Sequence, residues 1–180
     1  MPITVPTLDI IQFDNAIDPS GTRDLGAGAS GFVKFLTTSS SGHLDYGFVN
    51  VTNSGVLAGT KMLLFRPVNL GSAQEVYNFR FHLNSISSWS TGTYQFLWNK
   101  ANHFASGVSL LTTNDNIPTS LPGTSNVLST ASGTYIQAVA ESGVSQYIYL
   151  DLFVGVDVPV GTYGGPGNGG FRYKLTYDFV

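Results

Sequence analysis

Alternation of apolar and polar residues dominates the pattern along this chain. The longest run, "YIYLDLFVGVDVPV" at 147–160, places aliphatic residues at every second position: Ile148, Leu150, Leu152, Val154, Val156, Val158 and Val160. A period of two is the repeat of a β-strand, so the run predicts one strand over 147–160. The same pattern places Asp151 and Asp157 together on the opposite face, toward solvent or a neighbouring molecule.

Other segments carry the same period. In "FRYKLTYDFV" at 171–180, aromatic and aliphatic residues alternate with Arg172, Lys174, Thr176 and Asp178. Similar patterns predict strands at 31–37, 44–51, 61–68, 76–83, 94–100, 107–111 and 134–140. Turn-forming residues separate these segments, and none repeats apolar residues with a helical period. We therefore expect an all-β chain of about 8–10 strands, arranged as an antiparallel β-sandwich or jelly roll.

Two segments stand outside this alternation. Residues 1–16 contain two prolines and a short apolar series, which predicts an extended N-terminal arm ahead of a single β-sandwich domain at 17–180. The apolar positions of this arm are candidates for an assembly contact: Ile3, Val5, Leu8 and Ile10. Residues 112–133 predict a long loop, and loops of this length often carry contacts to a partner.

A glycine-rich run, "GPGNGG" at 165–170, matches the G-x-G-x-x-G spacing of a dinucleotide-binding loop. Such a loop requires a helix immediately afterwards, because the helix N-terminus directs its N–H groups at the phosphate. The residues that follow, 171–180, alternate as a strand. The run therefore predicts a flexible hairpin connection and no bound nucleotide.

Composition and charge narrow the function classes. Only 11% of the 180 residues are charged, the net charge is −3, and cysteine is absent. A surface with so few charges repels its neighbours weakly and suits a packed assembly. No basic patch is present to neutralise phosphates, so we expect no nucleic-acid partner. No apolar run is long enough for membrane insertion, and the sequence as given begins without a signal peptide.

Catalytic patterns are weak. The stretch "GASGF" at 28–32 lacks the last glycine of a nucleophile elbow, and the three histidines, His43, His82 and His103, are scattered. A glycosidase needs two carboxylates close together, whereas Asp151 and Asp157 on one strand would lie roughly 20 Å apart. We therefore expect no enzymatic activity and no cofactor.

Two binding alternatives remain open. The oxygen ligands of "NDN" at 114–116 suit calcium, but the spaced acidic loop of a calcium site is missing. Calcium binding therefore stays an alternative to which we assign no metal ligand. Trp89 lies in the predicted turn "SSWSTG", where its ring is a candidate for stacking on a sugar, as in a lectin-like carbohydrate-binding module.

The whole chain resembles small structural proteins of tailed-phage virions, with capsid decoration (cement) proteins as the nearest type. It is similar, less closely, to prokaryotic filament subunits that assemble by donating a strand. The segments that carry the resemblance are "MPITVPTLDII", as an arm, and the long strand "YIYLDLFVGVDVPV". The resemblance implies a non-enzymatic, self-assembling protein of a virion or an extracellular assembly. Its partners would be copies of itself, a capsid protein or a filament protein.

Overall fold

The computed structural model describes residues 4–13, 32–36, 46, 48–87, 92–101, 115–127, 135–136, 146–161 and 170–180. All regular secondary structure in these ranges is β-strand. The strands are β1 (Thr7–Phe13), β2 (Phe32–Leu36), β3 (Val56–Leu57), β4 (Lys61–Asn69), β5 (Val76–Ser87), β6 (Tyr94–Ala101), β7 (Asp115–Asn116), β8 (Tyr135–Ile136), β9 (Tyr147–Val154) and β10 (Gly170–Phe179). The prediction of an all-β chain is confirmed.

The strands form two antiparallel sheets. Seven strands make the larger sheet. Six follow the order β2-β1-β4-β9-β6-β7, and β3 pairs with the end of β9 that β4 does not reach. Three strands make the smaller sheet, in the order β10-β5-β8. In both sheets, strands that pair are often far apart in sequence, as β5 and β10 are.

One hydrophobic cluster contains side chains from both sheets. The alternation of β9 sends Ile148, Leu150 and Leu152 into it, as the sequence predicts, and Phe79, Phe81 and Leu83 of β5 enter it from the smaller sheet. The ring of Phe81 lies 5.6 Å from that of Phe65 on β4 and 6.0 Å from that of Trp98 on β6. These ring contacts connect the two sheets, because Phe65 and Trp98 belong to the larger one.

The larger sheet is also buried on its second face. Met62 and Leu64 of β4 point away from the shared cluster, yet both are fully buried, as is Tyr149, which pairs with Met62 across the ladder. Leu97 on β6 is buried on the same face. The central strands of this sheet are therefore apolar on both sides, as strands covered on both faces usually are.

The described part of the predicted long loop, residues 115–127, bonds to both sheets of its own chain. Its start forms β7 beside β6, and Ile117 donates its N–H to the carbonyl oxygen of Phe96. Pro118 then accepts the N–H of Leu83 on β5. Further on, the Asn126 side chain bonds both the N–H and the carbonyl oxygen of Phe81. This segment joins the sheets along one side.

Three strand predictions need correction or fall outside the described ranges. Residue 46 and residues 48–51 form no strand, although Val49 and Val51 still point inward. The strand predicted over 147–160 ends at Val154, because a turn begins after Gly155. The strand predicted at 107–111 lies outside the described residues.

The N-terminal segment contributes β1 to the larger sheet, where it lies between β2 and β4. Its register with β4 runs from Thr7, opposite Asn69, to Phe13, opposite Met62. The division of the chain into an arm at 1–16 and a domain at 17–180 stays a prediction, as do the sandwich or jelly-roll arrangement and the function of the arm.

Candidate functional site

The strand β10 lies at one edge of the smaller sheet, where it pairs only with β5 among the described strands. Its apolar positions pack on the shared cluster: Phe171, Tyr173, Leu175, Tyr177 and Phe179. On the opposite face, Arg172 and Lys174 are exposed. The alternation that predicted this strand therefore also sets its two faces, but the position of the strand at an edge follows from the topology.

The hydrogen bonds at the end of β10 show which backbone groups point outward. Val180 and Glu75 exchange N–H···O bonds, so the backbone of Val180 faces β5. Because successive residues of a strand point their N–H and C=O groups to alternate sides, Asp178 and Thr176 also face β5. The alternate residues point their N–H and C=O groups away from β5: Tyr173, Leu175, Tyr177 and Phe179. No backbone group in the described part of the chain bonds to that outer side.

This outer edge is regular because the irregularities of the pairing lie in β5. The register passes from Thr176 opposite Arg80 to Asp178 opposite Tyr77, which leaves the extra residue in β5. Asn78, within that bulge, has a φ of 55°, in the left-handed region that asparagine tolerates. A second extra residue, Asn84, also belongs to β5. β10 itself continues without a bulge, so its outward groups keep the spacing of a strand.

Asp178 fixes the end of β10 against this bulge. Its Oδ1 accepts a charge-assisted bond from Nη2 of Arg80 at 2.8 Å, and its Oδ2 accepts from Nδ2 of Asn78 at 2.6 Å. Its side chain nevertheless remains 41% exposed. The carboxylate is thus held in a defined position and is still accessible from outside the sheet.

Positively charged side chains lie on the face of the smaller sheet that points away from the hydrophobic cluster. Lys174 lies opposite His82 across the ladder, and Arg80 lies next to it along β5. His82 is 5% exposed, and its Nδ1 is buried without a hydrogen-bond partner. Burial and then the charges of Lys174 and Arg80 lower the pKa of His82, so the imidazole is neutral at pH 7.

The start of β10 is covered by residue 46. The ring of Tyr46 lies 6.3 Å from that of Phe171, and its hydroxyl lies 3.5 Å from the hydroxyl of Tyr173. Lys61 Nζ lies 5.6 Å from the centre of the Tyr46 ring. Burial raises the pKa of both tyrosines, so they stay protonated at physiological pH. The Tyr46 side chain therefore packs against both Phe171 and Tyr173 at the start of β10.

Asp151 is a carboxylate buried within its own chain, so the prediction that it faces solvent or a neighbouring molecule is wrong. It is 1% exposed. On β9 it lies between the residues that pair with β3 and the residues that pair with β4. Its Oδ1 accepts the N–H groups of Leu152 at 2.7 Å and Gly59 at 3.1 Å, and Oδ2 lies 3.4 Å from the hydroxyl of Thr60. Burial raises the pKa of Asp151 despite these bonds, which lower it.

Asp157 lies in the turn after β9 and does not share a strand with Asp151. Its Oδ1 accepts the N–H of Thr93 at 2.8 Å, and its Oδ2 accepts the hydroxyl of the same residue at 3.0 Å. The backbone bond from Thr93 lowers the pKa of Asp157. The two carboxylates therefore hold separate pieces of backbone.

Only some of the residues singled out from the sequence belong to the described part of the chain. Leu8 and Ile10 lie in β1, and Val5 precedes that strand and is 58% exposed. Asp115 and Asn116 form the exposed β7. Outside the described residues lie Ile3, Trp89, His43, His103, Asn114, residues 28–31 and most of the glycine run. The hairpin predicted at that run is wrong, because β9 belongs to the larger sheet and β10 to the smaller one. In the described ranges, no three of His, Cys, Asp and Glu converge as metal ligands.

Comparisons with protein-family models, with curated proteins and with solved structures give no match for this chain. Among the described residues, no helix has the length and apolar character needed to cross a membrane.

Proposed function

We propose that this chain is a non-enzymatic structural protein that assembles with copies of itself into, or onto, a larger particle, such as a virion capsid that it decorates. The observation that carries the proposal is the edge of β10 between Tyr173 and Phe179, which no backbone group of the described residues pairs. Folded proteins usually cover or interrupt long edge strands, because their unpaired N–H and C=O groups accept a strand from another chain. Strand addition to such an edge is a common mode of protein association.

The surface of the chain supports the same proposal. With only 11% charged residues, approaching copies repel one another weakly. Several large apolar side chains are exposed, among them Phe48, which is 96% exposed, and Val156 and Val160 in the turn after β9. Aromatic and aliphatic surface of this kind contributes to interfaces once it is covered.

We further propose that the two sheets are the layers of an antiparallel β-sandwich. The contacts of Phe81 with Phe65 and Trp98 support this arrangement, since they link the smaller sheet to β4 and β6. In such a fold, residues 7–13 already occupy a position between β2 and β4. Donation of the N-terminal arm to a neighbour would then require the exchange of β1 between copies. Deleting residues 2–14 would remove a paired strand and would disturb folding as well as assembly.

Assembly is tested on the intact chain by sedimentation velocity and negative-stain electron microscopy over a range of protein concentrations. We expect discrete oligomers or ordered particles that persist between about 0.1 M and about 1 M salt, because salt weakens only the few charged contacts. Protein that stays monomeric at every concentration and salt would contradict the proposal.

The matched variants for this test are Thr176→Lys and Thr176→Val. Thr176 lies in the middle of the open edge and points to the outer face, where lysine discourages strand addition without entering the hydrophobic cluster. We expect Thr176→Lys to weaken assembly at least tenfold and Thr176→Val, which keeps the β-branched shape, to assemble normally. Equal assembly of both variants would place the contact elsewhere on the chain.

A further inference from the structure

The open stretch of β10 is symmetric about one residue. The outward-facing residues without a backbone partner among the described residues run from Tyr173 to Phe179, so the midpoint of this stretch is Thr176. We infer that two copies of this chain pair through β10, antiparallel and about a two-fold axis at Thr176, so that the two smaller sheets become one continuous sheet. This inference rests on the proposed self-assembly and names its partner and its register.

The backbone groups meet correctly in this register. The N–H and C=O groups of Thr176 point toward β5, so Thr176 faces Thr176 of the second copy as a pair without hydrogen bonds. The residues on either side point outward, so Leu175 exchanges N–H···O bonds with Tyr177 of the second copy. Tyr173 and Phe179 of the second copy form the next such pair. Every outward backbone group of the open stretch therefore gains a partner.

Charges on the outer face are complementary in the same register. The two-fold axis at Thr176 places Lys174 directly opposite Asp178 of the second copy, and the symmetry creates this pair twice. Lys174 is exposed, and Asp178 is held in position by Arg80 and Asn78 while part of its side chain stays accessible. Opposite charges facing each other across an antiparallel pair stabilise it, whereas like charges destabilise it.

Two neighbouring registers, with the axis at Lys174 or at Leu175, are expected to be less stable. An axis at Lys174 would place two lysines face to face. An axis at Leu175 would require Phe171 to pair with Phe179 of the second copy. Phe171 packs against Tyr46 and lies 4.6 Å from the ring of Phe96, at the covered start of the strand. The axis at Thr176 pairs Tyr173 with Phe179 of the second copy and does not extend to Phe171.

The inner face of β10 gains contacts as well. Tyr173, Leu175, Tyr177 and Phe179 are each only partly buried in the single chain. Pairing sets Leu175 beside Tyr177 of the second copy and Tyr173 beside Phe179 of the second copy. Cross-strand pairs of aromatic and aliphatic residues are among the more stabilising pairs in antiparallel sheets.

Single cysteines test the register, since the chain has no cysteine of its own. In a pair without hydrogen bonds, the two Cα atoms lie about 4.5 Å apart, within the range of a disulfide. We expect Thr176→Cys, oxidised with diamide at a concentration where the wild type associates, to form a disulfide dimer in most of the protein. Lys174→Cys is the matched control, because two cysteines at 174 would lie on opposite sides of the axis and stay unlinked.

The outcomes separate the inference from the proposed function. Sedimentation of reduced Thr176→Cys first checks that this variant associates as the wild type does. If it associates but stays unlinked after oxidation, or if Lys174→Cys is linked equally well, the register is wrong while self-assembly stands. If the wild type does not associate and Thr176→Cys stays unlinked, both proposals fail. A dimer linked only at Thr176 supports both.

Discussion

Asp151 and Asp157 belong to one alternating run of sequence. Both accept backbone hydrogen bonds, but Asp151 is buried and Asp157 is exposed. Each carboxylate accepts backbone N–H groups from a neighbouring segment, Gly59 for Asp151 and Thr93 for Asp157. Asp151 is buried inside the larger sheet, and burial raises its pKa; Asp157 is exposed in a turn, and its bond to Thr93 lowers its pKa. A carboxylate can therefore hold backbone in either place, but only the buried one costs free energy when it ionises.

The largest effect is expected from Asp151→Ala. The substitution leaves the N–H groups of Gly59 and Leu152 without their acceptor, and an unpaired buried group costs about 1–3 kcal/mol. We expect the free energy of unfolding to fall by about 3 kcal/mol, measured by urea denaturation. Asp157→Ala is the control, because water can replace its lost bonds. A loss at Asp157 as large as that at Asp151 would remove the distinction between the two sites.

A smaller effect of opposite sign is expected from Asp151→Asn near neutral pH. Asparagine keeps an oxygen for the two N–H groups but carries no charge. Because burial raises the folded-state pKa of Asp151 above its unfolded value, the wild type loses stability as pH rises through the interval between the two values. The variant does not titrate, so we expect it to be the more stable protein above this interval.

Urea denaturation from about pH 3 to about pH 8 checks this prediction. The advantage of Asp151→Asn should disappear below the ordinary Asp pKa of about 3.9, where the wild-type carboxyl is protonated in both states. A constant difference across the whole pH range would show that charge burial is not the cause.

The smallest effect is expected from Asp157→Asn, with the reverse dependence on pH. Since the folded-state pKa of Asp157 is lowered, the ionised carboxylate stabilises the wild type above its unfolded pKa, and this contribution is lost as pH falls through the folded value. The variant should therefore be slightly less stable near neutral pH and equal to the wild type in acid. Thermal melts at matched pH values measure the difference, and a more stable variant at pH 7 would contradict it.

Local alternation predicted the strands because it reports the direction in which side chains point. β4, β5, β6 and β10 lie close to their predicted ranges for that reason. The same signal cannot show whether a polar-looking face is covered. The residues beside Asp151 on its face, Tyr149 and Phe153, are aromatic, and this was the available sign that the face is not a solvent surface.

Hydrogen-bond partners depend on parts of the chain that are distant in sequence, so the pattern could not supply them. Val49 and Val51 point inward as the alternation of 44–51 predicts, but no described strand pairs with them. The edge position of β10, on which the candidate site depends, is likewise set by the strand order. The end of the strand at Val154 also depends on a distant segment, since Gly155 donates its N–H to the carbonyl oxygen of Thr93 and the Asp157 carboxylate accepts the N–H of Thr93.

The pairing of β5 with β10 also constrains how the chain folds. β5 is the longest described strand, and four described strands, β6 to β9, lie between it and its partner β10 in sequence. Closing such a long loop is entropically costly and slows folding, so β5 must remain without β10 during synthesis and early collapse. In that interval, the face of β5 that carries Phe79 and Phe81 can form non-native contacts with other segments or other chains. The rate at which β10 arrives, more than the final stability, should decide how much newly made protein escapes aggregation.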